Sequence, residues 1–359
     1  MSNSLEVRRV RVPFRAPLAT ASGTWASRDA WLLRLAALDG RTGWGEVVLE
    51  DPADGPRLER LLAEAVAMWR TGEMPSARTL AAAGGPGLAL RAALEAAVID
   101  MERTPSRLLL PGGSGVGVNA VIGASGADVA SAAARTAVAD GFRTLKLKAG
   151  VDDTTDRLVA RVGAVRAAVG ARVALRLDVN AAWGLGTAIE RINALEEFGL
   201  QYVEQPMDEP MAGLRRRVRV PIAADEAVLD TGAARALLSA GGADVLVVKL
   251  ARVGGPFATA AIAAMAADHG VPVVISSLFE TGLGLAAAAA SAAALPDVPG
   301  WPAAERDHGL ATAHLLEHDL LKAPLLIAGG RLHVPAGAGT GGLGVRVDEA
   351  AIRRYEVEA

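Results

Sequence analysis

A chain of 359 residues, 51% hydrophobic, is long enough to bury one domain of about 250 residues together with a smaller one. Its 37 basic and 40 acidic residues leave a formal charge of -3, so it carries no electrostatic footprint for nucleic acid or an anionic membrane, and small-molecule partners are favoured. The absence of cysteine removes disulfides, thiolate nucleophiles and zinc-thiolate sites together, a composition compatible with a reducing cytoplasm.

In chain order, the opening MSNSLEVRRVRVPF is too polar and charged for a signal peptide, and the Ala-rich segments are too short or too interrupted to span a bilayer, so a soluble, cytoplasmic protein is expected. LEVRRVRVPF and AWLLRLAALDGRTGWGEVV alternate like strands and carry a DG turn, which predicts a small antiparallel sheet. In LATASGTWASRD, small residues around Gly23 permit movement and Trp25 is placed to cover a substrate. From Pro56 to Met101 the periodicity becomes helical, in RLERLLAEAVAMW and LALRAALEAAVIDM, and predicts a helical cap. After the Gly-rich break PGGSGVG, short apolar runs alternate with amphipathic stretches to about Leu295. The runs are VGVNAVI, RTLKLKA, VALRLDV, LQYVEQP, VPIAADE, ADVLVVKL and VPVVISS. That rhythm predicts a closed parallel β/α sheet, a barrel whose active site lies at the C-terminal ends of its strands.

Three of the runs end in a carboxylate: Asp178 in VALRLDVN, Glu204 in LQYVEQP and Asp225 in VPIAADEA. At the ends of buried strands they are expected to share one pocket, where they would repel unless a cation sat among them. All-oxygen ligation without histidine or cysteine favours Mg²⁺ over Zn²⁺, with Mn²⁺ as a substitute. Lys146 and Lys148, two apart in one strand, share the interior face, and repulsion and desolvation are expected to favour the neutral amine that a general base requires. Lys249 lies beyond the acids, so Lys148 and Lys249 are expected to flank the carbon next to a substrate carboxylate, where loss of a proton gives an enolate. Asn180, two residues past Asp178, is expected to face the pocket or cap the next helix; Ser276 and Ser277 end a strand and are candidate substrate contacts. Glu226 is expected to point away along the pleat, and Glu280 to cap the following helix.

The KxK, DxN, EQP, DE and K motifs, in this order and spacing, resemble the enolase superfamily in its muconate-lactonizing subgroup, over almost the whole chain. The resemblance implies an α+β N-terminal capping domain (residues 1–112) and an α/β modified TIM barrel of the (β/α)7β type (113–325). A C-terminal segment (326–359) would complete the capping domain. It implies that Lys148 is the base, that Lys249 lies opposite, and that Lys146 tunes Lys148 and contacts the substrate carboxylate. Two segments look most like o-succinylbenzoate synthases: VGVNAVI, with Asn119 pointing toward the site, and DHGLATAHLLEHDL, which departs from their pattern at Ala311. Such an enzyme dehydrates a cyclohexadiene carboxylate in menaquinone biosynthesis. N-acylamino acid racemase, muconate cycloisomerase and dipeptide epimerase are the alternatives, although the DxD pair usual in epimerases is absent from VVISSLFETGLG and PAAERDHG. A catalytically silent barrel with a binding role is a further alternative, against which both lysines and all three acids argue. The expected partner is a small-molecule carboxylate, with no nucleic acid or membrane partner, and a homo-oligomer is anticipated.

Overall fold

A computed structural model of the protein describes residues 3–20, 23–102, 115–123, 125–150, 153–208, 210–334 and 342–358. The N-terminal alternation gives a three-stranded antiparallel sheet of β1 (Ser4–Thr20), β2 (Gly23–Ala36) and β3 (Thr42–Val47), with β2 in the middle. Val10, Val12 and Phe14 are buried at every second position of β1, the mark of a strand with one covered face. Ser4 lies opposite Ala36 and Pro13 opposite Ser27; a register shift between Pro13 and Leu18 carries the hairpin on to Thr20 and Gly23. Residues 21–22, at the centre of the loop expected to cover a substrate, lie outside the described residues.

Three helices follow, α1 (Gly55–Arg70), α2 (Ala77–Ala82) and α3 (Gly85–Met101). Ser76 starts α2 by accepting a hydrogen bond from Thr79 N. Most of α3 is buried, because one side receives β3 and another rests on the barrel. The approach of β3 is close enough that a Cβ on Gly45 would lie 1.9 Å from the Ala93 carbonyl oxygen, so only glycine fits there.

The barrel begins with β4 (Val116–Gly117) and β5 (Ala120–Ile122), then alternates through α4 (Ala127–Ala139), β6 (Thr144–Lys148), α5 (Thr155–Val169), β7 (Ala174–Asp178) and α6 (Leu185–Ala194). It continues with β8 (Tyr202–Glu204), α7 (Ala212–Arg215), β9 (Ile222–Ala224), α8 (Thr231–Ser239), β10 (Val245–Lys249), α9 (Leu250–Val253), α10 (Pro256–Asp268), β11 (Val273–Ser276) and α11 (Gly282–Ala293). Strands β5 to β11 form one parallel sheet in sequence order. His308 and Gly309 close it, pairing in parallel with Val118 on one side and Ser276 on the other. The HGL segment is thus the last, helix-less strand of a (β/α)7β barrel, and the expected fold class of capping domain plus modified TIM barrel is the one observed. Tyr202, Ala223, Val245, Val247 and Val274 fill the interior beneath the strand ends, with Trp301 packed against them.

The remaining strands, β12 (Leu326–Ala328) and β13 (Arg331–His333), join β4 in a small antiparallel sheet. Helix α12 (Glu349–Tyr355) follows, and Val10 of β1 bridges to Glu356 just beyond it. The segment from residue 326 therefore pairs first beside the barrel and only afterwards returns to the cap, where Gly342 N donates to Asp100 O at 3.0 Å. The boundary expected at 112/113 lies outside the described residues. Among the described residues no helix is long and apolar enough to cross a membrane.

Candidate active site

Strand register sets Lys148, Asp178 and Glu204 side by side at the ends of β6, β7 and β8. The two-residue repeat places Lys146 and Arg176 one layer lower on the same interior face. Lys146 Nζ donates to Asp178 Oδ2 and Glu204 Oε1, both at 2.8 Å. Lys148 Nζ donates to Asp178 Oδ2 at 2.6 Å and to Asn180 Oδ1 at 2.9 Å. Asp225, just past β9, accepts from Lys249 Nζ at Oδ2 and from Arg252 Nη1 at Oδ1, each at 2.6 Å. The three carboxylates are each 1% exposed, whereas the Lys148 side chain is 34% exposed. The acids therefore line the base of the mouth and Lys148 reaches toward solvent.

Burial penalises the charge on Asp178, but the ammonium groups of Lys146 and Lys148 outweigh it and hold the carboxyl below the usual range. Burial, and then the charge of Asp178, push Glu204 upward. For Lys146 the expectation of a neutral amine is overturned. Desolvation does favour neutrality, yet the charges of Asp178, Glu204 and Asp225 prevail and raise its pKa well above the ordinary value.

The donor chemistry fits a hard divalent cation. One ammonium already lies within 2.8 Å of two buried carboxylates, and every candidate ligand atom is oxygen. Among the described residues no three carboxylate or imidazole groups are already gathered as a cage, because the ammonium of Lys146 stands between Asp178 and Glu204, and Lys249 and Arg252 draw both oxygens of Asp225 aside.

Backbone turns at the strand ends aim these side chains. Asn180 (φ 50), Ala181 (φ 59) and Gln205 (φ 39) all have left-handed backbone, which non-glycine residues adopt only when the surroundings impose it. Gln205 Oε1 accepts from the N–H groups of Asp225 and Ala227, latching β8 to the residue that presents the third carboxylate. Asn180 Nδ2 donates to Glu226 Oε1 at 2.9 Å. Glu226 lies beyond the end of β9, where pleat alternation no longer directs it away, and so it reaches the site through Asn180. Ser276 is level with Lys249 in the register of β10 and β11. Ser277 shares a 3.0 Å hydrogen bond with Thr312 of the closing strand's loop.

Asn119 points inward but lies below the lysines: Ala120 pairs with Leu145, which sets Asn119 level with Thr144. Its Oδ1 accepts from Arg176 Nη1 at 3.0 Å, so its amide is taken up in the barrel floor, away from the mouth where a substrate contact was expected. Glu280 does not cap α11 either; its Oε2 accepts from Leu278 N at 2.8 Å.

Arg252, Glu50 and Gln205 belong to the site and carry no strand-end signal. Arg252 also donates through Nε to Glu50 Oε2 at 3.0 Å, and the partners are 202 positions apart in the chain. Gln205 had one signal, its place in EQP beside Glu204. A separate cavity of about 370 Å³ lies in the cap against Trp25, Arg28, Trp31 and Pro52. None of the three carboxylates lines it, and Arg9 and Arg11 on its wall are already paired with Asp29.

Residues 128–351 match the family described as Enolase C-terminal domain-like. The chain is 42% identical over 249 residues to an o-succinylbenzoate synthase of Thermobifida fusca, covering 68% of this chain and 71% of that one. It is 32% identical over 366 residues to an N-succinylamino acid racemase of Amycolatopsis, covering 94% of each. Among solved structures it resembles a dipeptide epimerase of Enterococcus faecalis complexed with Mg and the dipeptide L-Leu-L-Tyr, at 25% identity and a TM-score of 0.81, over 96% of this chain and all of that one. A barrel that gathers acids and lysines at one mouth, joined to a cap and matched over more than half its length, makes this chain an enzyme of the enolase superfamily, in the muconate-lactonizing subgroup.

Proposed function

We propose that the protein is an o-succinylbenzoate synthase, dehydrating a cyclohexadiene carboxylate in menaquinone biosynthesis. The observation that carries this reading is the pair of lysines, Lys148 and Lys249, held by buried carboxylates at one mouth, in a chain 42% identical to a relative with that activity. Asp178, Glu204 and Asp225 would hold Mg²⁺, or Mn²⁺ in its place, which when bound supplies Lewis-acid stabilisation of negative charge on the substrate carboxylate.

The remaining steps belong to the chain's own side chains. Lys148, once its ammonium has released a proton to solvent, would take the proton from the carbon next to the carboxylate, leaving an enolate. Its new ammonium then donates that proton to the hydroxyl leaving from the same face; the C–O bond breaks, water departs and the amine is restored. Asn180 Oδ1 and Asp178 Oδ2 fix the swing of Lys148. Lys146, in contact with Asp178 and Glu204, lies beside it and would meet the substrate carboxylate. Lys249, anchored on Asp225, would lie opposite, against the enolate. Ser276, level with Lys249, would touch the substrate, and Ser277 braces that wall through Thr312.

N-succinylamino acid racemase is the second reading, because the relative bearing that name aligns over 94% of both chains, and two lysines facing one carbon suit proton removal on one side and return on the other. An ultraviolet assay of the purified enzyme with Mg²⁺ discriminates. The cyclohexadiene substrate is expected to be consumed with a higher kcat/KM than N-succinyl amino acids are racemised. Lys148→Ala is expected to lose exchange of the α-proton while still binding Mg²⁺. Racemisation without any dehydration would transfer the assignment to the second reading, and normal exchange in the variant would remove Lys148 as the base.

A further inference from the structure

The cap and the barrel are fastened at a point that the chemistry above does not use. Glu46 of β3 is 6% exposed, and its carboxylate lies against the start of α11 in the barrel. Oε1 accepts from Thr281 N at 2.8 Å; Oε2 accepts from the Thr281 hydroxyl at 2.7 Å and from Gly284 N at 2.8 Å. These N–H groups belong to the first turn of a helix, where donors lack intrahelical partners and the dipole favours an anion. Thr281, the residue that starts α11, caps nothing with its own side chain, since its hydroxyl is turned to Glu46. The fit leaves no slack: a Cβ on Gly284 would lie 3.0 Å from Glu46 Oε2 and 2.7 Å from Glu280 Cβ.

The segment held in this way leads straight back to the site. Ser276 and Ser277 end β11, and Leu278, Phe279 and Glu280 separate them from Thr281. Phe279 has φ 62, a conformation an aromatic residue keeps only where its neighbours impose it. Its ring meets Phe14 edge-on at 6.0 Å and Trp25 at 6.2 Å, both from the cap hairpin. One short turn thus carries the candidate substrate serines at one end and the Glu46 clasp at the other, with the hairpin resting between.

We propose that Glu46 is a positioning residue for the reaction, holding from the cap the turn that presents Ser276 and Ser277 and so coupling the seating of the cap hairpin to substrate binding. The kinetic part rests on the enzymatic reading above. If the clasped arrangement is the one that binds substrate, loosening it lowers its population, and apparent affinity falls by the same fraction while bound substrate still turns over.

Glu46→Gln keeps size and shape but, whichever way its amide is turned, sets an N–H₂ against at least one of the three donors. It is expected to raise KM about tenfold with kcat within about twofold, and to speed amide exchange at 278–284 and at 23–28. Thr281→Val removes only the hydroxyl bond and is expected to shift both readouts in the same direction by less; it carries the test if Glu46→Gln does not fold. A folded Glu46→Gln protein whose amides exchange faster with KM unchanged, or whose kcat falls at constant KM, overturns the proposal. Should the wild-type enzyme turn over neither candidate substrate, the functional reading falls by itself. The exchange measurement then decides the clasp: faster exchange confined to the two segments supports it, and unchanged or uniformly faster exchange overturns it.

Discussion

At the scale of single residues, the site is a balance of charges in which each buried ion is kept by specific partners. Asp225 is 1% exposed and meets two cations, Lys249 and Arg252, while Arg252 also reaches Glu50, whose side chain is 52% exposed. These two ion pairs of one arginine should differ in weight. Removing one partner of a buried pair leaves a desolvated charge and costs about 3–5 kcal/mol, whereas a solvated pair contributes about 0–1 kcal/mol. Arg252→Met is therefore expected to lower unfolding stability in urea by about 3 kcal/mol and Glu50→Gln by less than about 1 kcal/mol. Equal losses would show that the solvated half holds as much as the buried half. The three acids and three lysines were legible in the sequence because each ends or lies in an apolar run, where a charge needs a reason. Arg252 and Glu50 were not, since nothing in either local segment refers to a partner 202 positions away. The charge environment of Lys146 escapes the sequence for a related reason: burial can be read from a strand, but which opposite charges surround a buried group depends on the neighbouring strands.

Among the elements, the turn from β11 into α11 concentrates the least comfortable groups. Glu280 is pushed up to about 7, first by burial and further by the charge of Glu46, against the pull of Arg28. A carboxyl that ionises near 4.5 in the unfolded chain but near 7 in the fold is bound more tightly to its proton in the native state. Its contribution to stability is fully present below about pH 4.5 and is lost as pH rises through about 7, a change on the order of 3 kcal/mol. Glu280→Gln, neutral at every pH, is expected to flatten that slope between pH 5 and pH 8, leaving the part due to other carboxyls that burial raises, Glu46 and Glu204 among them. Thermal unfolding of both proteins across that range measures it, and identical slopes would mean that Glu280 is ionised throughout. The same turn marks a limit of reading elements from pattern. VVISS announces a buried strand by its apolar run, but the contacts of the left-handed Phe279 and the Glu46 clasp are made with cap residues more than two hundred positions earlier. The closing strand was harder still: His308 and Gly309 pair by single bridges, too short for any period to show. Burial lowers the pKa of His308 to about 3, and its neutral ring accepts from Ile275 N at Nδ1, a structural use of histidine inside the seam.

For the molecule as a whole, the site lies where the two units meet, and several contacts among the described residues tie them around it. Glu46 holds the start of α11, Glu50 reaches Arg252 beside Asp225, and α3 rests on the turn before α10, where a Cβ on Gly255 would lie 2.9 Å from Ala92 Cα. A ligand that binds at the carboxylates therefore stabilises a surface to which both units contribute. Binding to the folded state alone raises stability by RT ln(1 + [L]/Kd), about 2.7 kcal/mol at a hundredfold excess over Kd. For a chain of 359 residues the unfolding entropy is large, so that increment corresponds to roughly 4 °C in Tm. Excess Mg²⁺ is accordingly expected to raise Tm by a few degrees over the protein in EDTA, in a concentration-dependent way and within one cooperative transition. Asp225→Asn, which removes one oxygen donor and part of the charge while keeping the side-chain shape, is expected to lose most of the increment. A wild-type Tm that is the same in EDTA and in excess Mg²⁺ would mean that Lys146, Lys249 and Arg252 satisfy the carboxylates by themselves and that no divalent cation competes with them.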